Sequence, residues 1–510
     1  MDTKALRQKI LDLAIRGKLV PQDPNDEPAS VLLKKIREKK AQMVKEGKLK
    51  KKDIKNDSII YVGEDNLHYE KFQDGTVKCI EDEIPFDVPE GWIWTRFSSI
   101  TINRDSERKP LSSSQRMNVA KIYDYYGASG KIDKVDKYIF NERLLLIGED
   151  GANLVTRSKP IAFFADGLYW VNNHAHCVDS PDKFILDYLF FYINAISLEK
   201  YVTGSAQPKM TQDKMNSILV SLPPYNEQKR LSQHLNELIA VVNNIEYEKG
   251  EVLAFTSKVK AKVLDMAIRG QLVPQDPDDE PASVLLECIR AEKEDLIKQG
   301  KLKRDKKESI IFKGEDNSYY VCKDAHAEPV DEQFIFELPD NWEWCSLLNI
   351  AKVELGKTLD RAKNTGINHP YLRSVNVCWN KVDLTDLNEM RFEPEELERY
   401  TIRRNDLLIC EGGDVGRSCV WTAEDEIQYQ NALHRVRFYG GCNPFYFMYY
   451  MMYYENRGII KSLCKGVTIK HLTRNILSLI PFALPPLEEQ NRIVERLKQI
   501  FSLLDSILCE

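Results

Sequence analysis

Ile10 to Leu33 reads ILDLAIRGKLVPQDPNDEPASVLL, and Val263 to Leu286 reads VLDMAIRGQLVPQDPDDEPASVLL. Twenty of the twenty-four positions are identical, at an offset of 253 residues. Identity at that level marks an internal repeat, and a repeat decides the architecture before any single element does. Working outward, Gly63-Glu64-Asp65 matches Gly314-Glu315-Asp316, and Trp92-Ile93-Trp94 matches Trp342-Glu343-Trp344. Further on, LPPYNEQKRL from Leu222 matches LPPLEEQNRI from Leu484, and Gly204 matches Gly466, at an offset of 262. Between these markers, residues 95–220 and 345–480, the copies share little beyond a strand-like texture. The frame is duplicated and its contents differ.

The 510 residues exceed what one hydrophobic core supports, which fits two modules. With 43% hydrophobic and 29% charged residues, the chain has globular proportions and is neither disordered nor fibrous. Its longest apolar run, Phe445 to Tyr454, is about half a membrane span, and the N-terminus lacks the apolar core of a secretory signal. The expected location is the cytoplasm, with no membrane contact. Eleven cysteines without a Cys-x-x-Cys pair point to reduced, mostly buried thiols and away from a disulfide framework or a structural zinc site. The net charge of −6 conceals Lys34 to Lys55, where eleven basic residues meet three acidic ones. A solvated helix face accounts for such a run, although local patches also bind nucleic acid whatever the global sign.

Heptad spacing organises the frame. Leu231, Leu238, Ile245, Val252, Val259 and Met266 recur every seven residues, so residues 226–269 read as one long coiled-coil helix of about 65 Å. Ile493, Leu497, Ile500, Leu504 and Ile507 repeat the first half of that seam, and Leu6, Ile10 and Leu13 repeat the second half, ending at Gly17. Together the chain ends rebuild one copy of the middle. The expectation is an α+β chain closed on a pseudo-two-fold axis: long antiparallel coiled-coil helices, with a variable α/β domain at either end. Helical arms over 29–46 and 282–299 carry the basic clusters, and each variable domain runs from a Trp-x-Trp strand to Leu-Pro-Pro, where the prolines end the domain and start a helix. An aromatic helix is expected in each domain, over Asp187 to Ile193 and Phe445 to Tyr454.

The expected boundaries are an N-terminal helix over 1–17, an arm and linker over 18–88, a first variable domain over 89–225 and a central helix over 226–270. A second arm over 271–338, a second variable domain over 339–487 and a C-terminal helix over 488–510 complete the chain.

Catalytic motifs are missing where they matter. A methyltransferase that flips adenine needs a polar acceptor before Pro-Pro-aromatic, but Leu222 and Leu484 stand at that position. Asn443-Pro444-Phe445-Tyr446 comes nearer, yet it opens an apolar helix, and no glycine-rich cofactor loop or Walker A sequence accompanies it. No catalytic residue is assigned. His174-Ala175-His176-Cys177 is the most metal-like cluster; a His-x-His on a strand puts both rings on one face. Without a third carboxylate beside them, a structural or DNA-contacting role is preferred, and no metal site is assigned. The Gly412-Gly413 loop reads as a turn rather than a phosphate cradle.

Taken as a set, the duplicated LAIRGKLVPQDP segments, Pro89 to Trp94 with Pro339 to Trp344, Leu222 to Gln228 with Leu484 to Gln490, and Ile147 to Asn153 resemble the specificity subunit of type I restriction-modification enzymes. The resemblance covers essentially the whole chain. The second domain departs mildly, with Glu411 to Gly416 in its glycine loop and about a dozen additional residues. The resemblance implies two target recognition domains, each reading half of a bipartite double-stranded DNA target. It implies helices that set the spacer and dock two modification (methyltransferase) subunits, with restriction (helicase-nuclease) subunits joining that complex. The chain is then non-catalytic and binds no cofactor, while S-adenosylmethionine, ATP and Mg belong to its partners. The alternatives are a DNA methyltransferase or nuclease acting alone, or a purely structural coiled-coil adaptor.

Reading DNA takes cationic and amide side chains on loops beside a rigid sheet. The first domain offers Lys121, Lys131, Arg157, Asn173, His174, Gln207 and Lys209. The second offers Lys357, Arg361, Arg373, Asn376, Arg417, His434 and Lys470. Basic and acidic residues nearly balance in each domain, so each alone should bind weakly and tight binding should need both together with the partner.

Overall fold

A computed structural model describes residues 1–204, 207–305, 309–323, 326–330, 332, 334, 336–360, 364–464 and 471–509. The chain divides into two compact units, Met1–Lys249 and Gly250–Glu510, with the division inside the central helix Tyr225–Ile268. Each unit has its own principal core, which includes Leu145, Ile185 and Leu231 in the first and Leu407, Tyr450 and Ile493 in the second.

In the first unit the N-terminal helix Thr3–Ile15 runs antiparallel to the start of the central helix. Arg7 donates to Asn243 Oδ1 at 2.8 Å and Glu246 Oε2 at 3.0 Å, while Ser221, just before the central helix, donates to Ile15 O at 2.7 Å. In the second unit the C-terminal helix Leu487–Cys509 pairs with the end of the central helix, through Lys260 with Asp505 at 2.5 Å and with the Phe501 ring at 5.2 Å. The heptad seam is buried at Leu231 and partly buried at Leu238, Ile245, Val259 and Met266. Val252 departs from it at 42% exposed. Lys249 is beside the Met1 carbonyl and Lys260 pairs with Asp505, and among the described residues neither terminal helix covers Val252 between them.

The frame closes each variable domain with a two-stranded clip. Ile93–Arg96 pairs antiparallel with Leu219–Leu222, placing Trp94 opposite Ser221, and Glu343–Ser346 pairs with Pro481–Leu484, placing Trp344 opposite Ala483. An aromatic helix packs on each clip: Ile185–Ala195 in one unit and Pro444–Asn456 in the other. Its tyrosines satisfy the clip's backbone, with Tyr188 donating to Ser221 O at 2.6 Å and Tyr446 to Ala483 O at 2.8 Å. A glycine locks the frame at both copies. Gly17 and Gly270 take φ of +64° and +67°, and a Cβ at either would run into Pro89 or Pro339.

Inside the frame the two variable domains have one topology. In the first, Ile102–Asn103, Ala175–Asp179, Leu144–Gly148 and Ala162–Ala165 lie side by side; in the second, Ala351–Leu355, Leu433–Phe438, Leu407–Cys410 and Ser418–Val420 keep the same order. The other sheet orders Gly130–Val135, Tyr123–Gly127, Leu168–Val171 and Phe140–Asn141, matched by Asn388–Phe392, Ile367–Leu372, Ile427–Tyr429 and Thr401–Ile402. Each such sheet contains one parallel pair, Tyr169 with Asp124 and Tyr371 with Gln428.

The arm helices Ala29–Lys45 and Ala282–Lys298 bury the same face, Leu32, Leu33 and Ile36 in one and Leu285, Leu286 and Ile289 in the other. Each leads to a three-stranded antiparallel sheet, beginning at Ile59–Val62 and Ile310–Lys313. Cys177, Cys345, Cys410, Cys419 and Cys442 are buried, whereas Cys79, Cys288 and Cys378 are exposed. No described helix is long and apolar enough to cross a membrane.

Candidate nucleic-acid interface

In the first domain three segments meet at the end of the strand Leu144–Gly148: the loop Glu149–Gly151, the turn Asn172–His174, and residues 203–204 with 207–209. Backbone bridges join Lys209 to both Asp150 and Thr203, and Met210 N donates to Glu149 O at 2.8 Å. On the outer side, Asn173, His174 and Gln207 are exposed. The His174 ring meets Asp150 Oδ2 at 2.7 Å, and Lys209 meets Glu149 Oε1 at 3.1 Å.

A buried ionic brace lies beneath this edge. Arg108 reaches Glu149 Oε2 at 2.6 Å, Asp105 Oδ2 at 3.3 Å and Ala175 O at 2.7 Å. His176 meets Asp105 Oδ2 at 2.6 Å through Nδ1 and Met210 O at 2.9 Å through Nε2, so both ring nitrogens face oxygen acceptors. Burial works to raise the Asp105 carboxyl, but His176, Arg108 and the Cys177 N–H outweigh it and hold it below its ordinary value. Glu149 is likewise raised by burial and pulled down further by Arg108, His176 and Lys209.

This geometry corrects the reading of His174 and His176 as two rings on one face without a carboxylate. His174 precedes the strand Ala175–Asp179 and points to Asp150, whereas His176 is buried on that strand beside two carboxylates. Asp105, Glu149 and His176 bring metal-type donors within 4.8 Å of one another. Arg108 and Lys209 already supply the positive charge that those carboxylates need, so the cluster is satisfied as an ion-pair network.

Among the described residues, the second domain keeps the edge without the brace. The loop after Leu407–Cys410 is held by Leu472 N donating to Glu411 O at 2.9 Å, as Met210 does in the first domain. His471 meets Glu411 Oε2 at 2.9 Å. His434 donates through Nε2 to Leu472 O at 2.7 Å, but among the described residues its buried Nδ1 has no partner, and burial pushes the ring below its ordinary value.

The candidate residues separate accordingly. Lys121 and Lys131 are exposed and held by Asp133 at 2.9 Å and Asp124 at 2.6 Å. Arg373 and Arg417 are half-buried and bound to Asp386 at 2.7 Å and Asp414 at 2.6 Å. Four others do structural work. Arg157 donates inward to the Ile193 and Ile196 carbonyls from a left-handed position at the end of a short helix. Lys357 is buried against Glu396 and the Phe392 ring. Asn376, 2% exposed, holds a turn by donating to Asp383 O at 3.0 Å and Asp386 O at 2.9 Å. His434 is fully buried. Sequence pattern offers no sign of this, because an amide or imidazole is equally at home on a loop surface or tying a loop down. Arg361 and Lys470 lie outside the described residues.

Asp105, Arg108 and His471 were not singled out from sequence. The signal for His471 was available: at the offset of 262, Glu149 falls on Glu411 and Lys209 on His471.

A family model for the type I restriction modification DNA specificity domain matches residues 100–253 and 339–508. The type I restriction enzyme EcoAI specificity subunit of Escherichia coli is 26% identical over 99% of this chain and 90% of its own. The EcoEI specificity subunit, also of Escherichia coli, is 26% identical over 99% of this chain and 90% of its own. A chain from a solved type I R-M system aligns at 17% identity over 83% of this chain and 93% of its own, with a TM-score of 0.48. With the match present in both copies of the repeat and extending over most of the sequence, the chain belongs to the type I restriction modification DNA specificity family.

Proposed function

We propose that this chain is the DNA-reading subunit of a type I restriction-modification enzyme, each variable domain reading one half of a bipartite duplex target. One observation carries the reading. Two domains of a single topology, clipped by near-identical frames, present different residues at the same edge: Asn173, His174, Gln207 and Lys209 in one, Glu411 and His471 in the other. A duplicated frame with different edges is what two unlike half-sites require.

The reading edge of the first domain is assigned to Asn173, His174, Gln207 and Lys209, flanked by Lys121 and Lys131; Arg373 and Arg417 are retained for the second. In this proposal the chain transfers no methyl group itself. Two copies of a modification subunit, carrying S-adenosylmethionine, dock on the duplicated frame, and ATP- and Mg-dependent restriction subunits join that complex in the cytoplasm. Exchanging the segment between Trp94 and Leu222 for that of another specificity subunit tests the reading by methylome sequencing. One half of the methylated sequence should change and the other stay; a change in both halves refutes the assignment. Radiolabelled methyl transfer to DNA by this chain alone refutes the non-catalytic role.

A further inference from the structure

The two arm helices agree on their buried face and disagree on their solvent face. At the offset of 253, Lys34 falls on Glu287, Lys39 on Glu292, Ala41 on Glu294 and Gln42 on Asp295. These residues are exposed in both copies, apart from the half-exposed Glu294. The buried stripe, by contrast, is the same in both copies down to a buried lysine, Lys40 or Lys293. The fold therefore does not need a basic face at these positions; its own second copy manages with an acidic one.

On the first arm, Lys34, Lys39 and Lys45 are exposed, and Lys50, Lys51, Lys52 and Lys55 continue the run in the turn that follows. Among the described residues, no carboxylate forms an ion pair with any of these seven side chains; Glu27 is taken by Lys35 at 2.6 Å and Glu46 by Lys48 at 2.7 Å, while Glu38 and Asp53 are the only other acids in the run. Clustered like charges without partners repel one another, so the surface is held at some cost to stability.

We infer that this lysine face, formed by the first arm helix and its basic turn, docks the phosphate backbone of duplex DNA without regard to sequence, and that the second arm helix does not. The inference rests on the DNA-reading function proposed above. Charge complementarity favours DNA over a protein partner. The cations here are lysines, compact point charges that suit sequence-independent binding to phosphates, and lysine is depleted from protein interfaces, whose cores need apolar anchors this face lacks. The asymmetry lies in the helix face, since the second arm keeps basic residues at Lys298, Lys303 and Arg304, where Lys45, Lys50 and Lys51 stand in the first.

The chain supplies its own test variant. Lys34→Glu with Lys39→Glu installs what the second arm already carries at the aligned positions, so folding should survive, with thermal melting as the check. The probe is a duplex lacking the target, titrated with the full chain over a series of salt concentrations. The variant should bind tens of fold more weakly at low salt, and the slope of log affinity against log salt should shrink by about 0.9 for each phosphate no longer neutralised. An unchanged slope and affinity overturn the inference. So does a variant that binds DNA normally but no longer assembles with its modification subunit, since the face would then dock protein. Preference for target over non-target duplex is measured in parallel. Its absence in the wild-type chain assembled with its modification subunit counts against the reading function, whereas a retained preference with an unchanged slope counts against the lysine face alone.

Discussion

The Trp92 indole donates through Nε1 to Glu227 Oε2 at 2.8 Å, tying the strand that opens the first variable domain to the helix that leaves it. Gln22 donates to the other carboxylate oxygen, also at 2.8 Å, and Arg230 pairs with Asp26 at 2.6 Å alongside. The second unit repeats the arrangement: Trp342 and Gln275 donate to Glu489 at 2.8 and 2.6 Å, beside Arg492 with Asp279 at 2.5 Å. Three segments far apart in sequence converge on one buried carboxylate, twice. Burial raises both glutamates above the ordinary value despite these donors.

Trp92→Phe and Trp342→Phe should therefore cost similar amounts, about 1–3 kcal/mol each, because each leaves a buried carboxylate oxygen without its donor. The two sites share no partner, so the double variant should lose close to the sum. Chemical denaturation checks this, and a large difference between the single variants would break the equivalence of the two frames.

Lys40 is buried, 2.6 Å from Asp57, and donates to Ser98 O at 2.8 Å, anchoring the first arm to the start of the first domain. Burial lowers the lysine and raises the aspartate, each opposed by its partner. Lys40→Met strands a buried carboxylate and should cost about 3–5 kcal/mol. Adding Asp57→Asn should return part of that loss, which a double-mutant cycle measures.

The brace at Asp105 should be sensitive to acid. Its folded value lies below the ordinary aspartate value, so its stabilisation is complete above about pH 4 and lost as pH falls through the lower folded value. Asp105→Asn should be less stable than wild type at pH 7, with the gap closing below about pH 4. Melting curves of both proteins from about pH 7 down to about pH 2.5 decide it; a gap independent of pH would mean that the carboxylate charge contributes nothing.

If the central helix sets the spacer, a four-residue insertion beside Gly250 adds about 6 Å of helix, the rise of one or two base pairs. The methylated target should keep both half-sequences and gain that spacing, with some loss of stability from the broken heptad register. An unchanged spacer at full activity would show that the helix is not the ruler.

The repeat, the frame and the long helix were legible because identity and periodicity are one-dimensional properties. Ile10 to Leu33 needs no coordinates to be matched with its copy, and the heptads announce a helix, now seen at Tyr225–Ile268. Periodicity could not show that Val252 drops out of the seam, because that depends on where the partner helices stop. Nor could it show that the two variable domains share a topology: strand order is fixed by which apolar faces pack together, and many different sequences satisfy one such arrangement. The site was the least legible part. Asp105 meets His176 across 71 residues, and Asn376 and His434 look like loop-surface polar groups until the chain folds over them. Sequence determined which residues were available to read DNA; the tertiary structure decided which of them were left facing outward, because polar groups taken inside need hydrogen-bond partners to offset their lost hydration.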